Sequence, residues 1–187
     1  MKLRAASTDL PGVMVLEPMV HSDDRGFFLE SFNLRDFELA TGDSPNFVQD
    51  NHSRSSFGVL RGLHFQTSRP QGKLVRVVHG TIFDVAVDVR ESSPLFGSWT
   101  AVELTAENHQ QIWVPPGFAH GFLVLSDYAE VLYKTTDFYS PKLERSIRWD
   151  DPTIGITWPD LGINPILSNK DQNAMSLKDI RLGGVQE

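Results

Sequence analysis

Cysteine is missing altogether from the 187 residues. Disulfide staples, thiol nucleophiles and thiolate metal sites are therefore excluded. Basic charge is in short supply: 17 Lys and Arg stand against 24 Asp and Glu, a net charge of -7. A nucleic-acid surface needs a basic face, so none is expected, although one small basic pocket for an anionic ligand stays compatible. No apolar run is long enough to span a bilayer, and the opening MKLRAASTDLPG has no apolar stretch of signal-peptide length. No repeat, low-complexity tract or Pro/Gly/Ser linker divides the chain. With 40% hydrophobic and 22% charged residues, ordinary for a globular chain, the expectation is one domain over residues 1–187, cytoplasmic, with neither nucleic acid nor membrane as partner.

What is there is mostly strand. VMVLEPMV (13–20) and RGFFLESF (25–32) read as early strands. NLRDFELATG (33–42) reads as a helix, with Asn33 to cap it, Asp36 in its first turn and Gly42 to end it. After GVLRGLHFQ (58–66) come KLVRVVHG, TIFDVAVDVR, GSWTAVELT, QQIWVPPG, HGFLVLSD and AEVLYKTTDFY, with Gly, Pro, Asn and Asp between them. Short strands at such spacing indicate a sandwich or barrel. SNKDQNAMSLKDIRL (168–182) is weakly helical. Helices flank the strands and do not alternate with them, so the class is mainly all-β, with a helical tail from about residue 168.

One strand is chemically odd. Residues 58–66 carry Arg61, His64 and Gln66 among apolar neighbours, and Lys73 opens the next strand. Strict alternation puts Arg61 and His64 on opposite faces, because three is odd. A bulge or sharp bend at Gly62 is predicted to shift the phase and bring both to one ligand. The segments GVLRGLHFQ and PPGFAH (115–120) together resemble the two signature segments of the cupin superfamily, a double-stranded β-helix or jelly-roll barrel. Metal-binding cupins carry His-x-His in the first segment, followed by a carboxylate. Here His64-Phe65-Gln66 is followed by Arg69 and Lys73, a set that repels a divalent ion. No metal is expected.

RGFFLESF, QDNHS, GVLRGLHFQ, QGKLVRVVHGTIFDVAVDVR, SSPLFGSW, ENHQQIWVPPGFAHGFLVLSD, YKTTDFYSPKLERSIRWDDPTIGITWP and SNKD occur in this order. From about residue 10 to about residue 180 the chain resembles the dTDP-4-dehydrorhamnose 3,5-epimerase family; TSRPQG (67–72) is the main departure, shorter and more basic than usual. The resemblance implies a metal-independent, cofactor-free isomerase acting on dTDP-4-dehydro-6-deoxy-D-glucose at C3 and C5. The alternatives are an epimerase of one centre or a ketoisomerase from another deoxysugar pathway, and a non-catalytic or metal-dependent cupin. Inverting a carbon beside a ketone needs a base on one ring face, an acid on the other, and a donor for the enolate oxygen.

By resemblance His64 is the base, Asp171 its partner, Tyr133 the acid and Lys73 the enolate donor. Read from the residues alone, His64 and Tyr133 are equally core side chains and Lys73 a turn lysine. Ser168-Asn169-Lys170-Asp171 is likewise a helix-capping box. Arg25, Arg61 and Lys170 match the family's charged substrate contacts. Glu30, Gln49, Asn51 and Glu144 match its polar ones, Tyr139 a thymine-stacking position, and His120 a hydrogen-bonding position in the pocket. Asp84, on a strand face with Ala86 and Asp88, is held in reserve as a supporting residue. The resemblance also implies a homodimer, to which the strand in VMVLEPMV is a candidate for exchange.

Overall fold

Asn33 accepts the N–H groups of Arg35 at 3.1 Å and Asp36 at 3.5 Å, and so opens helix α1 (Leu34–Thr41) where the sequence places it. Gly42 closes that helix with φ of +80°, a conformation glycine adopts without penalty. The computed structural model describes residues 2–180. Its strands are β1 (Leu3–Ser7), β2 (Met14–Pro18), β3 (Val20–Asp23), β4 (Gly26–Leu29), β5 (Gln49–Ser56), β6 (Leu60–Gln66), β7 (Lys73–His79), β8 (Thr81–Asp88), β9 (Trp99–Thr105), β10 (Gln111–Val114), β11 (Phe118–Val124), β12 (Tyr128–Thr135) and β13 (Glu144–Ser146). They form a six-stranded sheet in the order β1-β2-β10-β7-β12-β5, a five-stranded sheet β13-β6-β11-β8-β9, and the hairpin β3-β4. The ladders are antiparallel, and the two large sheets close as a jelly-roll barrel.

The barrel interior is apolar at one end only. Along β12 the inward side chains run Ala129, Val131, Tyr133, Thr135, and along β7 they run Val77, Val75, Lys73. Valines and alanine join the inter-sheet core with Leu10, Ile82, Leu104 and Ile112. Beyond them the rows turn polar and line a cavity. Two further clusters seal the outer faces. Leu63, Phe65, Val85, Val87 and Ile147 pack behind the five-stranded sheet. Trp113, Leu16 and Leu74 pack against Phe37 of α1. Trp113 meets the rings of Phe37 at 5.3 Å and Phe47 at 5.9 Å, edge to face, and donates Nε1–H to Asp43 at 2.7 Å.

The expected strand at residues 25–32 and the expected helical tail need correction. RGFFLESF forms strand only over Gly26–Leu29, and its hairpin stands clear of the sheets, with Phe27 62% and Phe28 68% exposed. The alternation there serves no core of this chain. The strand in VMVLEPMV is β2, which pairs with β1 and β10 of its own chain. The C-terminal tail holds one helical turn, α2 (Asn169–Gln172), and a 3-10 turn, Leu177–Asp179; residues 181 and 182 lie outside the described residues. The strand β5, QDNHSRSS, carries no hydrophobic alternation because its inward Gln49, Asn51 and Ser53 face the cavity and not the core.

Candidate active site

β6 does break phase at glycine. His64 pairs with His120 on β11 and Arg61 with Phe122, so three steps on one strand answer two on the other. Gly62 makes this possible. Its φ is +124°, and a Cβ built there meets the Cα of Gly121 at 2.5 Å. The two backbones cross where neither has a side chain. Arg61 and His64 consequently line one cavity of about 370 Å³, within the range of small-molecule sites.

His64 is held from behind. Its Nε2 lies 2.6 Å from Asp171 Oδ1, with side-chain exposures of 24% and 3%. Asp171 does not line the main cavity; it occupies a hollow beside it with Ser168 and Leu167. Asp171 makes the helix-cap contact and the histidine contact together. Its N–H donates to Ser168 Oγ at 3.2 Å, while Ser168 Oγ–H donates to its Oδ2 at 2.8 Å and its Oδ1 serves the histidine. Burial pulls the His64 pKa below the usual imidazole value, against the opposing pull of Asp171. Burial also raises Asp171, but His64, Ser168 and Lys170 outweigh it and hold the carboxyl below its ordinary value.

The facing sheet supplies Tyr133, Thr135 and Lys73. Burial raises the Tyr133 pKa above the ordinary phenol. Lys73 is buried, donates to the His64 carbonyl at 3.2 Å, and is pushed by burial down to about 8, with Glu144 and Asp84 working against the fall. His120 also lines the cavity, its Nε2 2.9 Å from both oxygens of Asp84, a carboxylate with no exposure at all. Asp84 thus lies in hydrogen-bond contact with His120, on the inward row that alternation on β8 defines. Among the described residues no three His, Asp or Glu side chains converge as a metal-ligand set.

At the mouth, Glu144 accepts from Lys170 at 2.9 Å and from the Tyr139 hydroxyl at 3.0 Å. Burial raises Glu144, but Lys170 and His64 outweigh it and leave the carboxyl below its ordinary value. Gln49 donates to Asn51 at 2.9 Å, which leaves Asn51 Nδ2 and Ser53 Oγ buried without a hydrogen-bond partner among the described residues. Such groups fit a ligand that supplies the missing acceptor and donor. Arg25 and Glu30 are the exceptions among the expected contacts. Arg25 is 89% exposed on the hairpin and paired to Asp23; Glu30 pairs with Lys2 at 3.0 Å. Neither reaches the cavity of its own chain. Ser53 and Thr135 line it without having been singled out, and so does Gln66, noted above only as an odd residue of its strand. Each stands two residues after an expected site residue on the same strand face, and that spacing is the signal that finds them.

A family model described as dTDP-4-dehydrorhamnose 3,5-epimerase matches residues 7–179. A dTDP-4-dehydrorhamnose 3,5-epimerase of Pseudomonas aeruginosa is 56% identical over 177 residues, covering 95% of this chain and 97% of that one. Among solved structures, a dTDP-6-deoxy-D-glucose-3,5-epimerase of Legionella pneumophila in complex with dTDP-4-keto-L-rhamnose superposes with a TM-score of 0.93. It has 49% identity and covers 96% of this chain and 95% of that one. A 3′-monoepimerase of Streptomyces bikiniensis in complex with dTDP-quinovose superposes with a TM-score of 0.85. Its identity is 38%, over 91% of this chain and 86% of that one.

Proposed function

This chain belongs to the dTDP-4-dehydrorhamnose 3,5-epimerase family, and from that premise we propose how it inverts C3 and C5 of dTDP-4-dehydro-6-deoxy-D-glucose to give dTDP-4-dehydro-L-rhamnose. It is an isomerase. The observation that carries the mechanism is that an Asp-backed histidine and a tyrosine enter one cavity from facing sheets.

The C4 ketone acidifies the C–H bonds on either side of it. His64 takes the proton, being held neutral near pH 7 by its lowered pKa. Asp171 stabilises the imidazolium that results. The electron pair moves onto the C4 oxygen as an enolate, and the ammonium of Lys73 donates to it. Tyr133, whose raised pKa keeps it protonated, delivers a proton to the opposite face. Return from the face of departure would only exchange the hydrogen. A proton passing from imidazolium to phenolate through solvent resets the site, and the cycle repeats at the second carbon. Acid, base and oxyanion donor are all side chains, so the reaction needs no cofactor.

Arg61 and Lys170 supply charge for the diphosphate, and His120 a hydrogen bond in the pocket. Gln49, Asn51 and Glu144 serve the base, ribose or sugar, and Tyr139 stacks on thymine. The protein works as a homodimer of one catalytic domain per chain, in which the hairpin β3-β4 reaches the neighbouring copy and brings Arg25 and Glu30 to its site. The support is the exposure of Phe27 and Phe28 and the distance of both contacts from their own cavity. Proton NMR of substrate with enzyme in heavy water tests the reaction. Deuterium enters at both C3 and C5 if both centres are inverted; entry at one carbon alone contradicts the double epimerisation and makes the chain a counterpart of the 3′-monoepimerase.

A further inference from the structure

The loop at residues 67–72 carries the main departure from the family and has no part in the chemistry above. It lies against the loop after β12, which bears Phe138 and Tyr139, 58% and 50% exposed. Several bonds tie the two loops together. Arg69 forks Asp137, Nε to Oδ2 at 3.0 Å and Nη2 to Oδ1 at 2.8 Å. Gln66, only 3% exposed, donates to the carbonyls of Arg69 at 3.0 Å and Phe138 at 3.4 Å, and accepts the Ser140 N–H at 2.7 Å. Gln71 donates to the Asp137 carbonyl at 2.7 Å, and the Gly72 N–H to Thr136 at 2.8 Å.

Two details make Arg69 more than a surface cation. Its φ is +57°, although it is not glycine and precedes a proline, which ordinarily holds its predecessor extended. The fork is reached from that unusual backbone. Asp137, besides receiving the guanidinium, accepts the N–H of Phe138 at 2.7 Å, and its carbonyl accepts from Thr135 at 2.9 Å. Tyr139 follows two residues later, with its own N–H on Gln49 at 3.0 Å. The aromatic platform thus hangs on a loop whose root is fixed by Arg69 of the adjoining loop.

We propose that Arg69 and Asp137 form a clasp that pre-organises the Tyr139 loop, making Arg69 a positioning residue for the nucleotide's base. The proposal rests on the reading of Tyr139 as the thymine platform. Arg69 touches no ligand; it lowers the ordering cost of the ring on which the base stacks. A bidentate but part-exposed pair has an effect of about three- to fivefold in affinity, whereas loss of a stacked base costs about tenfold or more.

Calorimetric titration of thymidine 5′-diphosphate into the full-length protein tests this with R69A, D137N, Y139A and the double variant R69A/Y139A. D137N keeps an acceptor for the Phe138 N–H while removing the ion pair. The expected result is a Kd raised about three- to fivefold by R69A and by D137N, with KM for the sugar nucleotide raised alike and kcat within about twofold. The effect of R69A should vanish once Tyr139 is alanine, a coupling that general loosening of the fold does not produce. If Y139A weakens binding while R69A and D137N do not, the clasp is overturned and the platform stands. Additive losses in the double variant also overturn the clasp. If Y139A itself leaves Kd unchanged, the platform reading fails, and the clasp with it.

Discussion

In the proposed mechanism single side chains divide the work of epimerisation between two walls of the barrel, and each can be questioned separately. His64→Ala should abolish deuterium incorporation at both carbons, measured by NMR in heavy water; appreciable residual exchange would remove His64 from its role as base. Tyr133→Phe should retain exchange while losing inversion at least tenfold, because the carbanion can still be reprotonated from the face it left. Inversion at full rate would point to another acid. The pH profile follows from the same environments. Activity rises as His64 loses its proton, at a pH below the ordinary imidazole value. It falls as Lys73 loses its proton near 8. Tyr133, raised above 10, titrates too late to set that limb.

Lys73 also links function to stability. Its pKa is about 8 folded against 10.5 unfolded, so the unfolded chain binds more protons between those values. The folded state is therefore penalised fully below pH 8, and the penalty is relieved as pH rises toward 10.5. The gap corresponds to about 3 kcal/mol at neutral pH. Lys73→Met should raise Tm by several degrees near pH 7 while activity collapses. A variant less stable than the parent would refute the account of Lys73 as a buried charge kept for catalysis.

Elements determine which residues meet. The crossing of β6 and β11 at Gly62 and Gly121 carries the phase shift that puts Arg61 and His64 in one cavity. Gly62→Ala sets a Cβ against backbone at 2.5 Å and fixes an L residue at φ of +124°. Strain and overpacking together cost about 3 kcal/mol or more. Denaturant melts and kcat should both fall; a variant of unchanged stability and rate would show that the crossing is not needed. The bulge was legible in the sequence as a conflict between strand parity and the joint use of Arg61 and His64. Strand β5 was not, because its inner face lines the cavity and not the core. Asp171 shows the limit from the other side: S-x-x-D signals a helix start, and only the packing of α2 behind β6 shows that one carboxylate serves the cap and the histidine together.

At the scale of the molecule, the projecting hairpin is the feature one chain leaves unsatisfied. Light scattering should give twice the 21.0 kDa of the chain. The double variant F27D/F28D should shift that mass toward the monomer and weaken thymidine 5′-diphosphate binding, since Arg25 and Glu30 travel with the hairpin. A stable dimer that binds unchanged would separate the hairpin from both roles.

Composition and periodicity by themselves determined a β-rich chain without thiol chemistry, the capped helix α1 and the run of short strands, since these follow from local preference and alternation. The ordered motifs identified the family. Only the tertiary structure decided that the Asp171 carboxylate, 107 residues from His64 along the chain, lies 2.6 Å from its ring. The same holds for Asp84 under His120, and for Arg25 and Glu30 outside the cavity their chain encloses. Such pairings are set by which strands cross and which loops return, and alternation along one strand carries no information about the strand that will face it.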